Sequence, residues 1–477
     1  MGRFAPLLPE LILSIGGTIL MLVAAFAGRR GAGLTSWLSV ALLLAATAAL
    51  IGAPSHAGPI YDGLVAADLF ASFGKAIMFP AAAVAIIAGH GWFERDHEHG
   101  SEYAVLIVFA AAGMSVMVSA TSLISLYVGL ELNSLASYVL ASYRRNDERS
   151  AEAGLKYFVL GALASGILLY GISLLYGFTG TTNFTGIAAA FAREAPSLGL
   201  LFGLVFVLAG LAFKASVVPF HMWTPDVYEG APTPVTMFFS TAPKAAAVLL
   251  ATRVCLDALA PATDAWRQIV IFAALASIYL GAVAAYGQTN IKRLLAYSSI
   301  NNVGFALVGL AAAGPNGASA VLFYMAVYVV MNVGAFLCVL WMRDGEGRPI
   351  ETIASLSGLS QTRPLMALAL FVFMFSLAGV PPMFGFWPKL LVFQAAVAAG
   401  FAPFAVAAIL GTVVGAYYYL KIVKVMYMDD PAEPYARVRE PVQGLLVLFA
   451  AVAVSPLGYL LIGPLGAITD RAAASIF

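Results

Sequence analysis

Four charged residues lie well inside apolar stretches of the chain, namely Glu131, Lys214, Lys244 and Lys389. A charge at the centre of a bilayer costs roughly 3 kcal/mol to insert, so such residues face the protein interior and find partners or water. One carboxylate cannot neutralise three ammonium groups, and burial disfavours an unpaired ammonium. We therefore interpret them as groups that take up and release protons. The alternative is a structural ion pair that only holds helices together.

Proline-rich breaks adjoin two of these lysines. Lys214 precedes Pro219 and Pro225, and Pro381 precedes Lys389. Proline removes backbone hydrogen bonds, and freed carbonyls at membrane depth are tolerated only beside protein or water. Interrupted helices in corresponding positions of two halves point to a transport pathway.

Other titratable residues are weaker candidates for the same pathway. His221 lies between Lys214 and the following loop and has a side chain suited to proton relay, and the alternative is that it caps the backbone freed at the break. Glu152 begins a predicted span, where an interfacial carboxylate and a proton-uptake group are equally good interpretations. Glu102 is a weaker candidate still. Lys75 lies nearer the end of its span, and we expect it to extend outward.

The composition predicts a membrane protein. Of 477 residues, 61% are apolar and only 10% are charged, against about 25% charged in an ordinary soluble domain. Cys255 and Cys338 lie far apart, so no cysteine pattern for an iron–sulfur cluster or a zinc site is present. His97, Glu98 and His99 are interpreted as a solvated loop, and no metal site is predicted.

Apolar runs of about 20 residues, the length that crosses a bilayer, predict an all-α integral membrane fold of about fourteen transmembrane helices. The seventh and twelfth are broken by prolines. The approximate limits are 7–27, 34–53, 72–90, 103–120, 122–142, 153–177, 198–223, 235–256, 266–286, 294–313, 319–342, 364–399, 402–426 and 442–463.

Basic residues favour one set of alternate loops. Sixteen basic residues fall in one set of loops, which we assign to the cytoplasm because cytoplasmic loops are usually the more basic ones. Only five fall on the opposite side. The five are Arg3, Arg193, Arg253, Arg267 and Arg471. The pattern places both termini outside. Because Arg29 and Arg30 follow the first span, that span is interpreted as retained rather than as a cleaved signal.

The span order predicts four regions. Residues 1–102 hold three N-terminal transmembrane helices, and 103–256 and 266–426 form two five-helix repeats. The broken helix is fourth in each repeat, and an odd helix number inverts the second repeat in the membrane. Residues 427–477 hold a C-terminal transmembrane helix. A short surface helix is predicted over 186–193, and 54–71 is predicted to be an external loop.

The run from Pro219 to Val235 resembles the signature of the antiporter-like membrane subunits of proton-pumping NADH:quinone oxidoreductase, respiratory complex I. Within it, Thr224-Pro225-Asp226-Val227-Tyr228, and then Ser240-Thr241-Ala242-Pro243-Lys244, are similar to the subunit N branch of that family. The resemblance implies that Glu131, Lys214, Lys244 and Lys389 match the family's proton-path positions. It also places a histidine, here His221, between the first two lysines.

The resemblance further implies a subunit of the membrane arm in a bacterial inner membrane, with a second antiporter-like subunit among its partners. The chain itself would bind no redox cofactor, because NADH, FMN, iron–sulfur clusters and quinone would be used on other subunits. It would be part of an oxidoreductase that works as a translocase, with protons moving from the cytoplasm outward. The alternative is a subunit of the related multisubunit cation/proton antiporters.

Overall fold

A computed structural model of the chain describes residues 2–51, 58–95, 100–193, 196–436 and 440–477. These residues are helical almost throughout, apart from an antiparallel ribbon of β1 (Pro59–Ile60) and β2 (Val65–Ala66). In chain order the α-helices are α1 (Leu8–Ala27), α2 (Ala32–Ala49), α3 (Leu69–Arg95), α4 (Glu102–Ser119), α5 (Leu123–Ala141), α6 (Glu148–Thr179), α7 (Phe184–Arg193), α8 (Leu198–Ala215), α9 (Trp223–Gly230), α10 (Thr233–Ser240), α11 (Ala242–Arg253), α12 (Thr263–Tyr286), α13 (Ile291–Ala312), α14 (Gly314–Leu340), α15 (Leu359–Thr362), α16 (Pro364–Ala378), α17 (Phe386–Ala398), α18 (Ala402–Met428), α19 (Pro441–Val454) and α20 (Ile462–Ala474).

Twelve helical segments of the described chain are long and apolar enough to cross a membrane, and each overlaps one predicted span. The predicted twelfth span consists of two shorter apolar helices, α16 and α17. The last predicted span is a bent pair in which α19 and the segment Pro456–Ala474 meet at 67°. The predicted C-terminal helix is therefore bent rather than straight, because Ser455 precedes a proline and takes an extended conformation.

The two predicted breaks have the same backbone form. The residues that follow α8 and α16 are Ser216 and Gly379, and both lie in the left-handed region, with φ 62° and 78°. In each case the next residue, Val217 or Val380, donates its amide to the carbonyl five residues earlier, at 2.8 and 3.0 Å. This is the Schellman motif that ends many helices. The predicted seventh span ran on to 223, whereas its helix ends at Ala215.

Close helix crossings occur at the first two helices of each predicted repeat. A Cβ atom on Gly113 of α4 would lie 2.7 Å from the Gly129 carbonyl oxygen of α5. A Cβ atom on Gly281 of α12 would lie 2.8 Å from the Asn301 amide nitrogen of α13. Small residues at such crossings let helix backbones approach in a membrane, so the two repeats begin with matching contacts.

The most deeply buried segment is the pair α10 and α11, in which every residue is buried. α1, α6 and α18 lie on the outside and expose apolar side chains, as expected of helices that face lipid. Lys244 lies on α11 and therefore near the centre of the molecule.

The smaller elements also bear on the predictions. The surface helix predicted over 186–193 is confirmed as α7. β1 and β2 lie within the loop predicted over 54–71, although 52–57 lie outside the described residues. At the start of α13, the Asn290 side chain accepts the amides of Lys292 and Arg293, at 2.8 and 3.2 Å. This cap satisfies two amides that have no partner within the helix.

Candidate functional site

Glu131 and Ser134 lie one turn apart on α5, and each has a different partner. The Glu131 carboxylate accepts a hydrogen bond from the Ser165 hydroxyl of α6. Ser134 accepts one from the Lys214 ammonium of α8, at 2.8 Å. Ser134, Ser165 and Lys214 line one small cavity of about 10 Å³, at the lower limit for a single water molecule. Among the described residues Glu131 has no ion-pair partner, so it does not form a direct pair with Lys214.

A stacked aromatic pair separates Lys214 from Lys244. The rings of Tyr157 and Trp223 lie 4.4 Å apart with 7° between their planes. The Lys214 Nζ lies 5.7 Å from the centroid of Tyr157, and the Lys244 Nζ lies 5.9 Å from that of Trp223. Because an aromatic face attracts a cation, the stack stabilises positive charge on both of its sides.

Lys244 binds the first helix break directly. Its Nζ donates to the Ser216 hydroxyl at 2.6 Å, at the left-handed residue where α8 ends. It also lies 5.5 Å from the centroid of the Tyr228 ring, on α9 beyond the break. Only 1% of Lys244 is exposed. The second lysine is therefore held by the side chain of the residue at which the first break begins.

Lys389 binds the second break in a similar way. Its Nζ donates to the carbonyls of Leu377 and Ala378, both at 3.0 Å, which α16 leaves free where it ends. The same ammonium lies 4.6 Å from the centroid of the Phe305 ring on α13. Each break therefore provides oxygen atoms for one buried lysine.

The three lysines share a neutral environment. Lys214, Lys244 and Lys389 are at most 6% exposed, and none has a carboxylate partner among the described residues. Hydroxyls, carbonyls and aromatic faces stabilise an ammonium, but they do not fix it as a full counter-charge would. Such an arrangement can hold a proton and give it up again.

The remaining candidate residues make no hydrogen bond or ion pair with these three lysines among the described residues. His221 lies half-buried in the first break, where its Nδ1 has no hydrogen-bond partner within the described part of the chain. Glu152 is exposed and pairs with Lys156 at 2.7 Å, and Glu102 is exposed at the start of α4. The patch at 97–99 lies outside the described residues. The described residues contain no group of three or more His, Cys, Asp or Glu that could hold a metal ion.

A charged cluster lies beyond the first break, where α9 meets the start of α13. The Lys292 ammonium, 2% exposed, donates to Glu351 at 2.6 Å and to the Ala231 carbonyl at 2.8 Å. Arg293 pairs with Asp226 at 2.7 Å and with Glu229 at 3.0 Å. The two Arg293 ion pairs and the hydrogen bond from Lys292 to Ala231 join the first predicted repeat to the second.

Two carboxyl groups of this cluster stay ionised because of their partners. Burial raises the pKa of Glu351, but the nearby Lys292 ammonium outweighs this and holds the pKa below its ordinary value. Hydrogen bonds from Lys156 and Arg293 lower the pKa of Asp226 against the same effect of burial. A polar cavity of about 360 Å³ opens here, lined among others by Arg149, Glu229, Asn290, Lys292 and Glu351.

Sequence reasoning missed two buried ion pairs. Lys75 is 3% exposed and pairs with Glu10 of α1 at 2.5 Å, so the expectation that it extends outward is wrong. Arg253, counted among the outer loop residues, is 1% exposed and pairs with Asp68 at 2.7 Å. Glu10 could have been recognised from the sequence, because it is a carboxylate inside the first apolar run. The stacked pair of Tyr157 and Trp223 could not have been recognised, because nothing in the spacing of these residues predicts the stack.

Comparison with known proteins identifies this architecture. The family model for the transmembrane region of NADH:quinone oxidoreductase and Mrp antiporter subunits matches residues 120–415, which include both breaks and all three lysines. The chain belongs to this family. A member from Rhizorhabdus wittichii, named NADH-quinone oxidoreductase subunit N, is 60% identical over 471 residues, 98% of each chain. A subunit N from Erythrobacter litoralis is 55% identical over 99% of this chain and 98% of its own.

Solved structures agree with that assignment. A chain of respiratory complex I from Thermus thermophilus is 32% identical, with a TM-score of 0.81 over 96% of this chain and 98% of its own. A chain of the Mrp complex from a Dietzia species superposes with a TM-score of 0.84 at 22% identity, over 98% of this chain and 97% of its own. At that identity the likeness shows a shared fold alone.

Proposed function

We propose that this chain is the proton-translocating membrane-arm subunit N of NADH:quinone oxidoreductase, acting along Glu131, Lys214, Lys244 and Lys389. One observation carries the proposal: three buried ammonium groups, bonded to neutral oxygen atoms, lie at or beside two matching helix breaks. The relatives that share 55–60% of its residues carry the subunit N name.

A proton from the cytoplasm enters at the polar cavity beyond the first break, reaches Lys214 or Lys244, and passes to Lys389 before it leaves on the outer side. Moving Glu131 toward Lys214 stabilises the ammonium, and moving it away releases the proton. Each outward charge works against about 2.3 kcal/mol per 100 mV. Two unit charges 4 Å apart interact by about 4 kcal/mol at an effective dielectric constant of 20, so motion of one carboxylate has the required size.

In this mechanism the repeats 103–256 and 266–426 form the two halves of the pathway. The three helices of 1–102 and the C-terminal region 427–477 flank them. The chain is an integral membrane protein, and we place it in the bacterial inner membrane with both termini outside. His221 stays a proposed relay at the first break. Glu152 stays a proposed group at the entrance where protons are taken up.

The redox reaction belongs to other subunits in this proposal. NADH, FMN, iron–sulfur clusters and quinone act there, and quinone reduction drives this chain through a second antiporter-like subunit and other membrane-arm neighbours. The alternative is a cation/proton antiporter subunit, because the family model describes Mrp antiporters as well as NADH:quinone oxidoreductase. Purification separates the two functions, because only a subunit of the oxidoreductase comes out with flavin-containing, iron–sulfur partners.

The test is NADH-driven proton pumping in membrane vesicles that carry Lys214→Ala or Glu131→Ala. Oxidation of NADH by an artificial acceptor reports assembly, and Lys424→Ala, which removes an exposed lysine, is the matched control. We expect pumping to fall in the first two variants while the artificial-acceptor activity and the control stay at the wild-type level. Wild-type pumping in Lys214→Ala and Glu131→Ala would leave these residues as structure and refute the proposed path.

A further inference from the structure

A cluster of neutral polar side chains lies in the second repeat, between the regions of Lys244 and Lys389. It consists of Ser298 and Asn302 on α13, Tyr324 on α14 and Tyr419 on α18. All four residues are at most 1% exposed. Burying polar groups is costly unless they are hydrogen-bonded, and phenylalanine or leucine would fill the same space without that cost.

Asn302 joins the members of this cluster by hydrogen bonds. The Tyr324 hydroxyl donates to the Asn302 Oδ1 at 2.8 Å. The Asn302 Nδ2 can only donate, and it donates to the Tyr419 oxygen at 3.1 Å and to the Ser298 hydroxyl at 3.4 Å. The Tyr419 and Ser298 oxygens lie 2.5 Å apart, and either of them can donate to the other. Asn302 therefore holds both hydroxyls in place without fixing which of them donates.

The same helix, α13, connects the cluster to Lys389. Phe305 lies one turn beyond Asn302, and the Lys389 ammonium lies 4.6 Å from its ring centroid. Residues three apart share a helix face. The cluster and the ammonium therefore occupy successive turns of one face of α13.

On the other side the polar residues continue toward Lys244. Ser299, adjacent to Ser298, accepts a hydrogen bond from Tyr328 at 2.8 Å. Tyr228 lies beside both of these residues, and its ring is 5.5 Å from the Lys244 ammonium. The buried hydroxyl of Tyr228 has no hydrogen-bond partner among the described residues.

We propose that the Tyr419–Ser298 hydroxyl pair is a proton relay between Lys244 and Lys389, with Asn302 as its positioning residue. Each hydroxyl breaks one O–H bond as it forms another, so the step exchanges protons only, with no oxidation or reduction and no bond between heavy atoms formed or broken. This inference rests on the proposed function, because a relay between the lysines has a role only if protons pass between them.

The test uses the assembled complex in membrane vesicles with Tyr419→Phe, and Ser298→Ala as a second variant. Tyr103→Phe is the matched control, because Tyr103 on α4 is equally buried and donates to the Ala85 carbonyl of α3 at 2.9 Å, outside the second repeat. Proton pumping, NADH oxidation by an artificial acceptor and the solvent deuterium isotope effect on NADH:quinone turnover are measured for each.

We expect several-fold slower pumping and a larger isotope effect in both relay variants, with artificial-acceptor activity unchanged and Tyr103→Phe like the wild type. A larger isotope effect is a result that a packing defect alone does not produce.

Normal pumping in both relay variants, with pumping lost in Lys244→Ala, would overturn the relay and leave the proposed function standing. Normal pumping in Lys244→Ala as well would overturn the proposed function. Slower pumping without a change in isotope effect would show a structural role and also overturn the relay.

Discussion

At the scale of single residues, the partner of each buried lysine separates two kinds of site. Lys75 has a carboxylate at 2.5 Å, and that carboxylate also accepts a hydrogen bond from Ser115 at 2.7 Å. Lys244 and Lys389 bind neutral oxygen atoms instead. A full counter-charge holds an ammonium firmly in place. We infer that the Lys75 pair fixes the packing of α1, α3 and α4.

Removing one partner of that pair should therefore destabilise the protein strongly. We expect Glu10→Gln to lower the free energy of unfolding by about 3–5 kcal/mol, because it leaves a buried ammonium without its counter-charge. The thermal stability of the purified protein in detergent measures this effect.

The double variant Glu10→Gln with Lys75→Met provides the control. It removes both charges, so it should recover most of the lost stability, as replaced buried ion pairs often do. If the double variant were as unstable as the sum of its single changes, the two residues would not act as a pair.

The sequence identified the central lysines because a charge inside an apolar run is rare and expensive. The same argument applied to Glu10, but this residue lies close to the end of its run, where an interfacial carboxylate is ordinary. Arg253 was misplaced for the same reason, because a helix end can lie inside the protein rather than at the membrane surface. The partners Ser134, Ser165 and Ser216 could not be predicted, because hydroxyl contacts depend on helix rotation.

At the scale of helices, the two breaks are the features that position the lysines. The prolines in the sequence located both breaks, but not the residues at which the helices end. Those ends are set by Ser216 and Gly379, which take left-handed conformations. Only one of them is glycine, so composition alone could not have located both.

Gly379 should not tolerate a side chain. A Cβ atom there would lie 2.8 Å from the Lys389 Cδ, and the residue has a φ of 78°. We expect Gly379→Ala to destabilise the protein by more than about 1 kcal/mol from backbone strain alone, and to slow pumping because it displaces Lys389.

Gly400→Ala is the matched control for that substitution. Gly400 has a φ of 88°, but a Cβ atom there meets nothing within 4 Å. It should show the loss of stability from strain with normal pumping per assembled complex. Equal pumping defects in the two variants would show that the contact with Lys389 is unimportant.

The charged cluster beyond the first break should make stability depend on pH. Because the pKa of Glu351 is held low in the folded protein, its contribution is complete above the ordinary carboxyl pKa of about 4.3 and is lost as the pH falls through the lower folded value. Glu351→Gln should remove this part of the acid-side loss, as measured by thermal stability between about pH 7 and pH 3. Glu346→Gln, at an exposed carboxylate, should leave the pH profile unchanged.

At the scale of the whole molecule, lipid-facing helices surround a core that carries the lysines. The number and order of the spans followed from hydropathy, because each span must satisfy its own backbone in lipid. The bend between α19 and α20 did not follow, since hydropathy reports the length of a segment and not its direction. The repeats themselves were predicted from topology and stay a prediction, with which the two similar breaks and glycine crossings are consistent.

The orientation in the membrane decides whether this geometry moves protons outward, and it can be measured directly. The sixteen-to-five distribution of basic loop residues places the C-terminus outside and the loop after α14 in the cytoplasm.

The native Cys255 and Cys338 are both fully buried, so they give little background in labelling with a membrane-impermeant maleimide. Ala474 and Gly345 are exposed at opposite predicted faces. We expect Ala474→Cys to be labelled in intact spheroplasts and Gly345→Cys only in inverted vesicles. The reverse pattern would turn the charged cavity toward the outside, and the polar uptake side would then become an exit.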